Sequence, residues 1–484
     1  MALTRRTFLI AAGGVPAAMV TKDGWPGHDR WERLRRRLSG PLIRPGEAGY
    51  DVARQGFMTL YDRRPAAVAR CLRVEDVQAC VEFAAECGLP VSARSGGHGY
   101  VGYSTVDNGL VVDLSRMDTV RVRGYGRAEI GAGARLGPIY ATLGRAGRLL
   151  PGGTCAAVGI GGLTLGGGIG VVARKYGLTC DHLESARLVT ADGRARTVSA
   201  ESEPDLLWAL RGGGGGNFGI VTSFTFGTAR APRLSTFELK FPPASMATLL
   251  DIWPRWQHGM PDELWTNCGL HGDGRIVTGG CFAGPVERLR PMVDDLVRRM
   301  GAEPLERTEA ERDYLATMTY YAGCADLAGS ACAPSWNGGG GAIGRGTYVA
   351  ASRMLRRPFT DPGEVARLLT SDPALYTIID GFGGAIAEVG PGESAFAHRD
   401  ALASIQVLRD VAPGPGGKAA ARRAVGLVRD GLGEDVGTTG YVNYLDPEMP
   451  DWANAYYGRS LPRLRALARR YDPDRVFAFP QGLD

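Results

Sequence analysis

The sequence lacks the short motifs that mark the commonest metal and hydrolytic sites. None of its nine cysteines belongs to a Cys-x-x-Cys pair, which excludes the usual zinc, iron–sulfur and thioredoxin-like sites. Neither Gly-x-Ser-x-Gly nor His-Glu-x-x-His occurs, so the chain carries no signature of a serine hydrolase or a zinc protease. We therefore expect no metal site and no hydrolytic activity.

The sequence also has little net charge and no long apolar run. Its 56 basic and 51 acidic residues give +5, and the one dense basic run, Arg33 with residues 35–37, has no interleaved aromatics. We interpret that run as a solvated face rather than a nucleic-acid site. The apolar run at residues 10–20 contains Pro16 and two glycines and is too short to span a bilayer. We expect no nucleic-acid partner and no stable membrane span.

The same apolar run has the features of an export signal. It follows Arg5-Arg6 and Phe8 and ends in small residues, so residues 1–20 resemble a twin-arginine leader. We therefore expect the export machinery as a partner and a secreted, periplasmic or extracellular location. Twin-arginine substrates cross the membrane folded, so a cofactor would be loaded beforehand. The alternative is a fortuitous pair of arginines before an apolar start.

Cysteine is present in an odd number, so one thiol is left over from any complete set of disulfides. Cys324 with Cys332 could close a small loop, and Cys268 with Cys281 could bridge a hairpin. Buried free thiols are the alternative in each case.

Glycine is abundant and clustered. It supplies 71 of 484 residues, roughly twice its usual share, in a chain long enough for about two or three domains. Hydrophobic residues at 44% and charged residues at 22% are otherwise typical of a globular protein. Clustered glycine indicates backbone pressed against a ligand.

Three glycine blocks stand out. The first, Arg94-Ser95-Gly96-Gly97-His98, follows a short predicted strand, so backbone N–H groups can approach an anion while the histidine is held at a fixed point. The second, residues 151–170, contains Cys155 and overlapping glycine pairs. The third, residues 212–216, lies between a helix that begins near Asp205 and a β-branched strand.

The second block could be mistaken for a dinucleotide-binding fingerprint, which needs a strand before it and a helix after it. Pro151 and the glycines after Leu165 argue against that helix. A loop that wraps a phosphate-bearing cofactor is the better interpretation.

The middle of the chain, residues 229–438, has a different composition. Strand-like stretches at 276–281, 347–352 and 383–389 alternate with helical patterns at 288–300, 363–370 and 417–431. This alternation predicts an α+β domain.

Together with motifs near the C-terminus, these blocks resemble the berberine-bridge-enzyme-like flavin oxidases of the vanillyl-alcohol-oxidase superfamily, which has a PCMH-type FAD-binding domain. The C-terminal motifs are Tyr441-Val442-Asn443-Tyr444-Leu445-Asp446, Trp452, Tyr456-Tyr457-Gly458, and Tyr471-Asp472-Pro473 with Val476-Phe477. The resemblance covers essentially the whole mature chain. It implies an α+β fold in which a two-part FAD-binding domain, residues 45–228 and 439–484, carries an inserted α+β substrate domain at 229–438.

The resemblance also implies bicovalent FAD, with His98 bonded to the flavin 8α-methyl group and Cys155 forming a thioether at flavin C6. An imidazole and a thiolate are nucleophiles suited to an electron-poor isoalloxazine. The further residues that we expect to bind FAD are Arg94, Ser95, Gly96, Gly97, Val158, Gly159, Gly161, Gly162, Gly168, Gly219, Ile220 and Val221.

The resemblance assigns the catalytic base to Tyr441. A phenol is a weak base at its ordinary pKa of about 10, so positive charge or hydrogen bonds must favour the phenolate. Strand alternation would place Tyr441 and Asn443 on one face and Tyr444 on the other. We expect all three in the catalytic site, with Tyr444 or a carboxylate of the middle domain as the alternative base.

The resemblance also predicts the electron acceptor, from the size of the side chain at Val158, three residues after Cys155. In the family, a small valine at that position goes with oxygen access to the flavin and a larger leucine with its exclusion. We therefore expect a secreted oxidase that acts on a hydroxyl-bearing carbon of a sugar or secondary metabolite and makes H2O2 from O2. An oxidative cyclase or dehydrogenase using another acceptor, or a flavin-carrying protein without turnover, are the alternatives.

Overall fold

The structure is a computed structural model that describes residues 27–327 and 331–483. The predicted leader, residues 1–20, lies outside the described residues. Two apolar cores organise the rest, one in the N-terminal part and one in the middle of the chain. Apolar side chains of the C-terminal segment, among them Leu461 and Leu464, belong to the N-terminal core. The chain thus leaves that core and returns to it, although the exact domain boundaries stay a prediction.

The N-terminal part contains two main sheets. One has the order β1-β2-β4-β3, with parallel pairs β2–β4 and β3–β4, and the other is the antiparallel sheet β5-β6-β10-β8-β9. The strands are β1 Leu42–Ile43, β2 Ala67–Arg70, β3 Val91–Arg94, β4 Leu110–Asp113, β5 Val120–Arg123, β6 Arg127–Gly131, β7 Arg148–Leu149, β8 Leu183–Val189, β9 Ala195–Ser199, β10 Ile220–Gly227 and β11 Ala229–Arg230. The helices are α1 His28–Arg37, α2 Tyr50–Ala53, α3 Val74–Cys87, α4 Leu136–Arg145, α5 Ile160–Gly166, α6 Ala173–Tyr176 and α7 Pro204–Leu210.

Helix α3 shows how the local sequence sets these elements. Val74, Val77, Val81 and Ala84 recur at helical spacing and are all buried. The helix ends at Gly88, whose φ of +61° is the left-handed conformation that glycine adopts without strain. The chain then enters β3, which delivers the first glycine block.

The middle part is built on one antiparallel sheet of seven strands in the order β15-β12-β14-β13-β17-β18-β16. Its strands are β12 Leu234–Phe241, β13 Leu264–His271, β14 Ile276–Phe282, β15 Glu306–Arg312, β16 Tyr348–Leu355, β17 Leu375–Gly381 and β18 Ala403–Asp410. The remaining helices are α8 Met246–His258, α9 Val286–Met300, α10 Tyr314–Tyr321, α11 Pro362–Leu369, α12 Ala385–Glu388, α13 Gly417–Val436, α14 Trp452–Tyr457 and α15 Leu461–Tyr471.

Most of the predicted elements of the middle domain are confirmed. Strands β14 and β16 occupy the predicted stretches, and α9, α11 and α13 occupy the predicted helices. The strand predicted at 383–389 is wrong, because this segment forms the short helix α12. Gly383 and Gly384 have φ of +105° and +53° and turn the chain out of the extended conformation.

A second prediction is wrong in the second glycine block, where we expected no helix. Residues Ile160–Gly166 form α5, because buried Ile160, Thr164 and Leu165 supply packing that outweighs the low helix propensity of glycine. The glycines permit the close approach of this helix to its neighbours. A Cβ on Gly166, for example, would overlap the side chain of Asn443.

Of the two disulfide hypotheses, the pairing of Cys324 with Cys332 is confirmed. The pairing of Cys268 with Cys281 is wrong, and both thiols are free and buried. The strand register explains this result, because Cys268 lies opposite Thr278 and Cys281 lies opposite Trp265. The Cys268 thiol instead approaches the Thr278 hydroxyl at 3.6 Å.

Candidate active site

A cavity of about 750 Å³ lies between the glycine blocks and the seven-stranded sheet. One side, which we call the glycine wall, consists of Gly96, Gly97, Gly99, Gly153, Gly159, Gly161, Gly162, Gly170, Gly214, Gly215, Gly216 and Gly219. The opposite side, which we call the sheet wall, consists of Trp265, Asn267, Tyr321, Tyr348, Tyr376, Ile378, Asp380, Gln406 and Leu408. The C-terminal turn that contains Tyr441 and Tyr444 also lines the cavity.

The two predicted attachment residues meet inside this cavity. Cys155 Sγ lies 3.6 Å from His98 Nε2. Burial lowers the pKa of His98 to about 4, and burial raises the pKa of the Cys155 thiol above its ordinary value. At neutral pH the imidazole is therefore uncharged, which is its nucleophilic form, and the thiol is protonated. The His98 ring stacks on Phe57 with 3.8 Å between ring centroids.

The glycine blocks pack directly against each other. Gly97 has a φ of +67°, and its carbonyl accepts a hydrogen bond from the Phe57 N–H at 2.8 Å. A Cβ on Gly96 would overlap the backbone of Gly159, and a Cβ on Gly159 would overlap Ser95 and Gly96. Only glycine permits this contact, which brings the His98 and Cys155 loops together.

Most of the residues predicted to bind FAD line the cavity. These are Ser95, Gly96, Gly97, His98, Cys155, Val158, Gly159, Gly161, Gly162, Gly219, Ile220 and Val221. Two others do not line it. Arg94 is buried, and its guanidinium pairs with Asp113 at 2.8 Å beneath the loop. Gly168 donates its backbone N–H to the Tyr441 hydroxyl at 2.8 Å, so both residues support the site from behind.

The predicted strand around Tyr441 is wrong. Tyr441 itself is extended, with φ −98° and ψ 126°, but residues Val442–Tyr444 form a 3₁₀ turn in which the Tyr444 N–H donates to the Tyr441 carbonyl. A turn brings the two rings together, whereas alternation along a strand would separate them. Their centroids lie 4.9 Å apart, and Tyr444 stacks on Tyr100 at 5.7 Å.

The two tyrosine hydroxyls have different surroundings. The Tyr441 oxygen accepts hydrogen bonds from Gly168 N–H and from Asn443 Nδ2, each at 2.8 Å, and only 2% of the residue is exposed. Burial nevertheless raises its pKa above the ordinary value, against the effect of these two donors. Among the described residues, no group forms a hydrogen bond with the Tyr444 hydroxyl. Its pKa is also raised, first by burial and then by nearby Asp380.

Sequence reasoning missed Asp380, which lies near the end of β17. Leu375, Thr377 and Ile379 are buried on one face of this strand, and Tyr376, Ile378 and Asp380 face the cavity. No hydrogen bond to the Asp380 carboxylate occurs among the described residues. Burial raises its pKa to about 7. The signal that could have found it is a single acidic residue on the half-buried face of an apolar strand.

The other members of the sheet wall also escaped sequence reasoning. Gln406 donates its amide to the Tyr100 hydroxyl at 2.6 Å, although 306 residues separate the two. Trp265 and Tyr321 meet edge to face at 6.0 Å. Trp265 lies on β13 and Tyr321 ends helix α10, so their proximity depends on tertiary packing, for which the sequence carries no local signal.

No group of three or more His, Cys, Asp or Glu side chains suited to a metal ion occurs in the described part of the chain. Within the same part, no helix has the length and apolar character needed to cross a membrane.

Two family models match the chain, an FAD binding domain over residues 65–199 and a "berberine and berberine like" segment over residues 440–484. An FAD-linked oxidoreductase of Bacillus subtilis, YgaK, is 32% identical over 93% of this chain and 98% of its own length. The chitooligosaccharide oxidase of Gibberella zeae is 31% identical over 87% of each chain.

Solved structures of related proteins have the same fold as this chain. Physcomitrella patens BBE-like 1 superposes with a TM-score of 0.88 at 28% identity, covering 94% of this chain and 98% of its own. Glucooligosaccharide oxidase from Acremonium strictum, described with 6-S-cysteinyl, 8α-N1-histidyl FAD, gives a TM-score of 0.82 at 28% identity, covering 93% and 99%.

Proposed function

The chain belongs to the berberine-bridge-enzyme-like FAD-linked oxidoreductases, and we propose that it oxidises a hydroxyl-bearing carbon of a neutral sugar with FAD attached through both His98 and Cys155. The observation that carries this proposal is the 3.6 Å approach of Cys155 Sγ to His98 Nε2 inside the large cavity. The linkage described for the Acremonium strictum enzyme, one cysteinyl and one histidyl bond, supports the same assignment here.

The residues present fit an FAD group. The glycine wall offers main chain without side chains along one side of the cavity, which suits a flat ring system and a pyrophosphate. His98 and Cys155 supply two nucleophiles that face the same space. When bound, the flavin supplies the acceptor for a hydride removed from the substrate carbon.

The sheet wall favours a neutral sugar. Trp265, Tyr321 and Tyr376 present aromatic rings that can pack against the apolar face of a sugar, and Asn267 and Gln406 add hydrogen-bonding groups. Among the described residues, Arg63 is the only Lys or Arg that lines the cavity. An acidic substrate would find no cation on the sheet wall. The oligosaccharide named for the Gibberella zeae relative agrees with this class of substrate.

For the base, the geometry favours Tyr444 over Tyr441, although all three residues Tyr441, Asn443 and Tyr444 stay in the proposed site. The Tyr441 hydroxyl is occupied by Gly168 and Asn443, whereas the Tyr444 hydroxyl is free for a substrate hydroxyl. The pKa of Tyr444 is raised, so a free phenolate is disfavoured there. None need form if Tyr444 passes its own proton to Asp380, whose pKa burial raises to about 7, as it accepts the proton of the substrate hydroxyl. Tyr441 and Asn443 then hold the turn that carries the base.

Oxygen is the proposed electron acceptor, and H2O2 the product of its reduction. Val158 is half-buried and lines the cavity three residues from Cys155. The small side chain of Val158 supports oxygen access to the flavin, as the resemblance of this position to the family implies.

Export by the twin-arginine route is a further part of the proposal. It rests on Arg5 and Arg6, which lie outside the described residues. Replacing both by lysine should leave folded, flavin-loaded protein in the cytoplasm, and unchanged export would rule out this leader.

The central experiment separates the two halves of the reaction. Purified yellow protein is mixed without oxygen with neutral oligosaccharides, with uronic acids and with polyketide-like alcohols, and flavin bleaching is followed. We expect bleaching by neutral sugars and, when oxygen is admitted, reoxidation with one H2O2 per sugar. Bleaching without peroxide would identify a dehydrogenase or cyclase, and bleaching by the uronic acids alone would overturn the neutral substrate.

A further inference from the structure

A segment of the substrate domain crosses to the loop that carries His98. We call residues 331–347, between α10 and β16, the strap. Backbone hydrogen bonds close it on itself, from Ser335 N–H to the Ile343 carbonyl and from Ile343 N–H to the Ala333 carbonyl, at 2.9 and 3.0 Å. The Cys324–Cys332 disulfide ties its beginning to the residues that follow α10.

The far end of the strap is fixed to the segment that precedes the first glycine block. Gly346 forms a parallel β-bridge with Met58, and Arg345 donates from Nε to the Gly56 carbonyl at 2.8 Å. Phe57, between these two anchors, stacks on the His98 ring. The strap therefore reaches the ring against which His98 is held.

Trp336 contacts the His98 loop directly. It is 1% exposed, and its indole N–H donates to the Gly96 carbonyl at 3.4 Å. Its ring centroid lies 5.4 Å from that of Phe57 and 6.0 Å from that of His98. Trp336 thus supports both the backbone of the loop and the aromatic stack around the imidazole.

Asn337 reaches the other end of the same loop. Its Nδ2 donates to Asp113 at 3.1 Å and its Oδ1 accepts from Arg70 at 3.1 Å. Asp113 in turn pairs with Arg94, the residue at which β3 ends and the loop begins. Asn337 has a φ of +52°, so the strap adopts a left-handed conformation at this contact.

The Cys155 loop is held differently. Leu136 N–H donates to the Val158 carbonyl and Gly137 N–H to the Ala156 carbonyl, each at 3.0 Å. These partners belong to the flavin-binding part of the chain. Among the described residues, the strap's contact with the Cys155 loop is apolar and involves no hydrogen bond: Trp336 and Ile343 share a cluster with Phe57, Ala157 and Cys155.

We infer that Trp336 and Asn337 are positioning residues that hold His98 for attachment to the flavin. Attachment would break the imidazole N–H bond and one C–H bond of the 8α-methyl group, form the C–N bond and leave two electrons and two protons on the flavin. Oxygen, the proposed acceptor, would then reoxidise the flavin and form H2O2. This inference rests on the proposed linkage through His98. Neither residue lines the cavity, so each acts through the loop of residues 94–98. The histidyl bond would then depend on a segment that follows His98 by more than 230 residues and comes from the substrate domain, whereas the cysteinyl bond would not.

The test measures each linkage alone. Flavin-free protein from riboflavin-limited cells is mixed with FAD in air-saturated buffer, so that oxygen reoxidises the flavin after each bond forms. Covalent flavin is followed by intact mass and by fluorescence in denaturing gels. In a Cys155→Ala background only His98 can attach, and we expect Trp336→Ala to slow attachment by about 10- to 100-fold, the usual effect of a misplaced reacting group. In a His98→Ala background the same substitution should change the cysteinyl rate by less than about threefold.

Three further variants keep the result interpretable. Trp336→Phe retains a ring and should restore most of the histidyl rate. Asn337→Gly retains the left-handed backbone and removes only the amide, so it tests the second contact should Trp336→Ala fold poorly. Trp253→Ala removes an equally buried tryptophan from the substrate-domain core, and it should lower the melting temperature without changing the ratio of the two linkages.

The possible outcomes separate the two claims. Slower histidyl attachment with normal cysteinyl attachment supports the positioning role. Equal slowing in both backgrounds, or none in either, overturns it while leaving the double linkage intact. Wild-type protein that releases all its FAD on denaturation overturns the double linkage itself, and the positioning role with it.

Discussion

The two walls of the cavity are made in different ways. The glycine wall is main chain, and its shape depends on contacts that a single added carbon would destroy, as at Gly96 and Gly159. The sheet wall is made of side chains that project from alternate positions of strands such as β17. Main-chain surfaces accept few substitutions, whereas projecting side chains can be exchanged one at a time. The difference teaches that the cofactor side of this enzyme is fixed by its backbone and the substrate side by its side chains.

The strongest test of this comparison concerns the two attachment residues. His98→Ala or Cys155→Ala alone should leave FAD bound covalently through the other residue, because both face one space 3.6 Å apart. The double variant should lose all covalent flavin. The measurement is the mass and colour of denatured protein. Free FAD from denatured wild-type protein would contradict the assignment, and covalent FAD in the double variant would point to a third nucleophile.

The next largest effect should separate the two tyrosines that face each other at 4.9 Å. Tyr444→Phe removes the hydroxyl that is free for substrate, so anaerobic flavin reduction should slow by about 10²–10⁴, the usual contribution of a general base. Reoxidation by oxygen should stay normal. Tyr441→Phe is the matched comparison, because it removes a hydroxyl that two donors already occupy. We expect it to slow reduction less than Tyr444→Phe, since it acts only through the turn that carries Tyr444.

The opposite outcome would be equally informative. If Tyr441→Phe slows reduction as strongly while Tyr444→Phe does not, Tyr441 is the base, as expected from the family resemblance. The two donors to its oxygen would then serve to stabilise the phenolate.

The difference between the walls also explains how much could be predicted from sequence. The glycine blocks could be predicted because clustered glycine is a signal within a short stretch of sequence. The attachment roles of His98 and Cys155 follow from the family resemblance and stay predictions. Asp380 and Gln406 were missed because they lie on β17 and β18, whereas their neighbours, Tyr444 and Tyr100, lie in a turn and a loop outside the sheet. Only the tertiary fold brings these residues together. Arg94 was misplaced for a related reason, since its partner Asp113 lies on the next parallel strand.

Two local errors have a common cause. Helix α5 and the 3₁₀ turn at Val442–Tyr444 pack against each other, with Asn443 Nδ2 donating to the Leu163 carbonyl at 3.0 Å. Each segment alone favours a loop or a strand by pattern. Their mutual packing selects the helical forms, which is a tertiary effect that local propensity does not contain.

A smaller effect than those of the attachment residues and tyrosines is expected at Val158, which we propose controls the access of oxygen to the flavin. Val158→Leu adds one methylene beside the cavity without touching Tyr444. Reoxidation of reduced flavin by oxygen should slow by about tenfold, equivalent to 1.36 kcal/mol of barrier, while reduction by sugar stays within about twofold. Stopped-flow absorbance of each half-reaction measures both rates. A variant slowed equally in both halves would show that the leucine disturbs the site rather than the path of oxygen.

The smallest expected effect is a stability change at the sheet wall. Asp380 has a pKa of about 7 in the folded chain, raised by burial, against about 3.9 when unfolded. Below pH 4 the carboxyl is protonated in both states and has no effect on folding. Between pH 4 and 7 the unfolded chain ionises first, so wild-type protein loses stability as pH rises, and above pH 7 this penalty is constant.

Asp380→Asn removes that penalty and should therefore raise the melting temperature by about 2–4 °C at pH 8 but not at pH 4. The same variant should lose the rise in flavin reduction that wild-type protein shows through pH 7, because an amide cannot take the proton from Tyr444. Glu434→Gln, which removes an exposed carboxylate on α13, controls for the change in net charge. A variant that is less stable than wild type at pH 8 would mean that the carboxylate is paired when FAD is present. The protonation of Asp380 would then depend on the bound FAD as well as on burial.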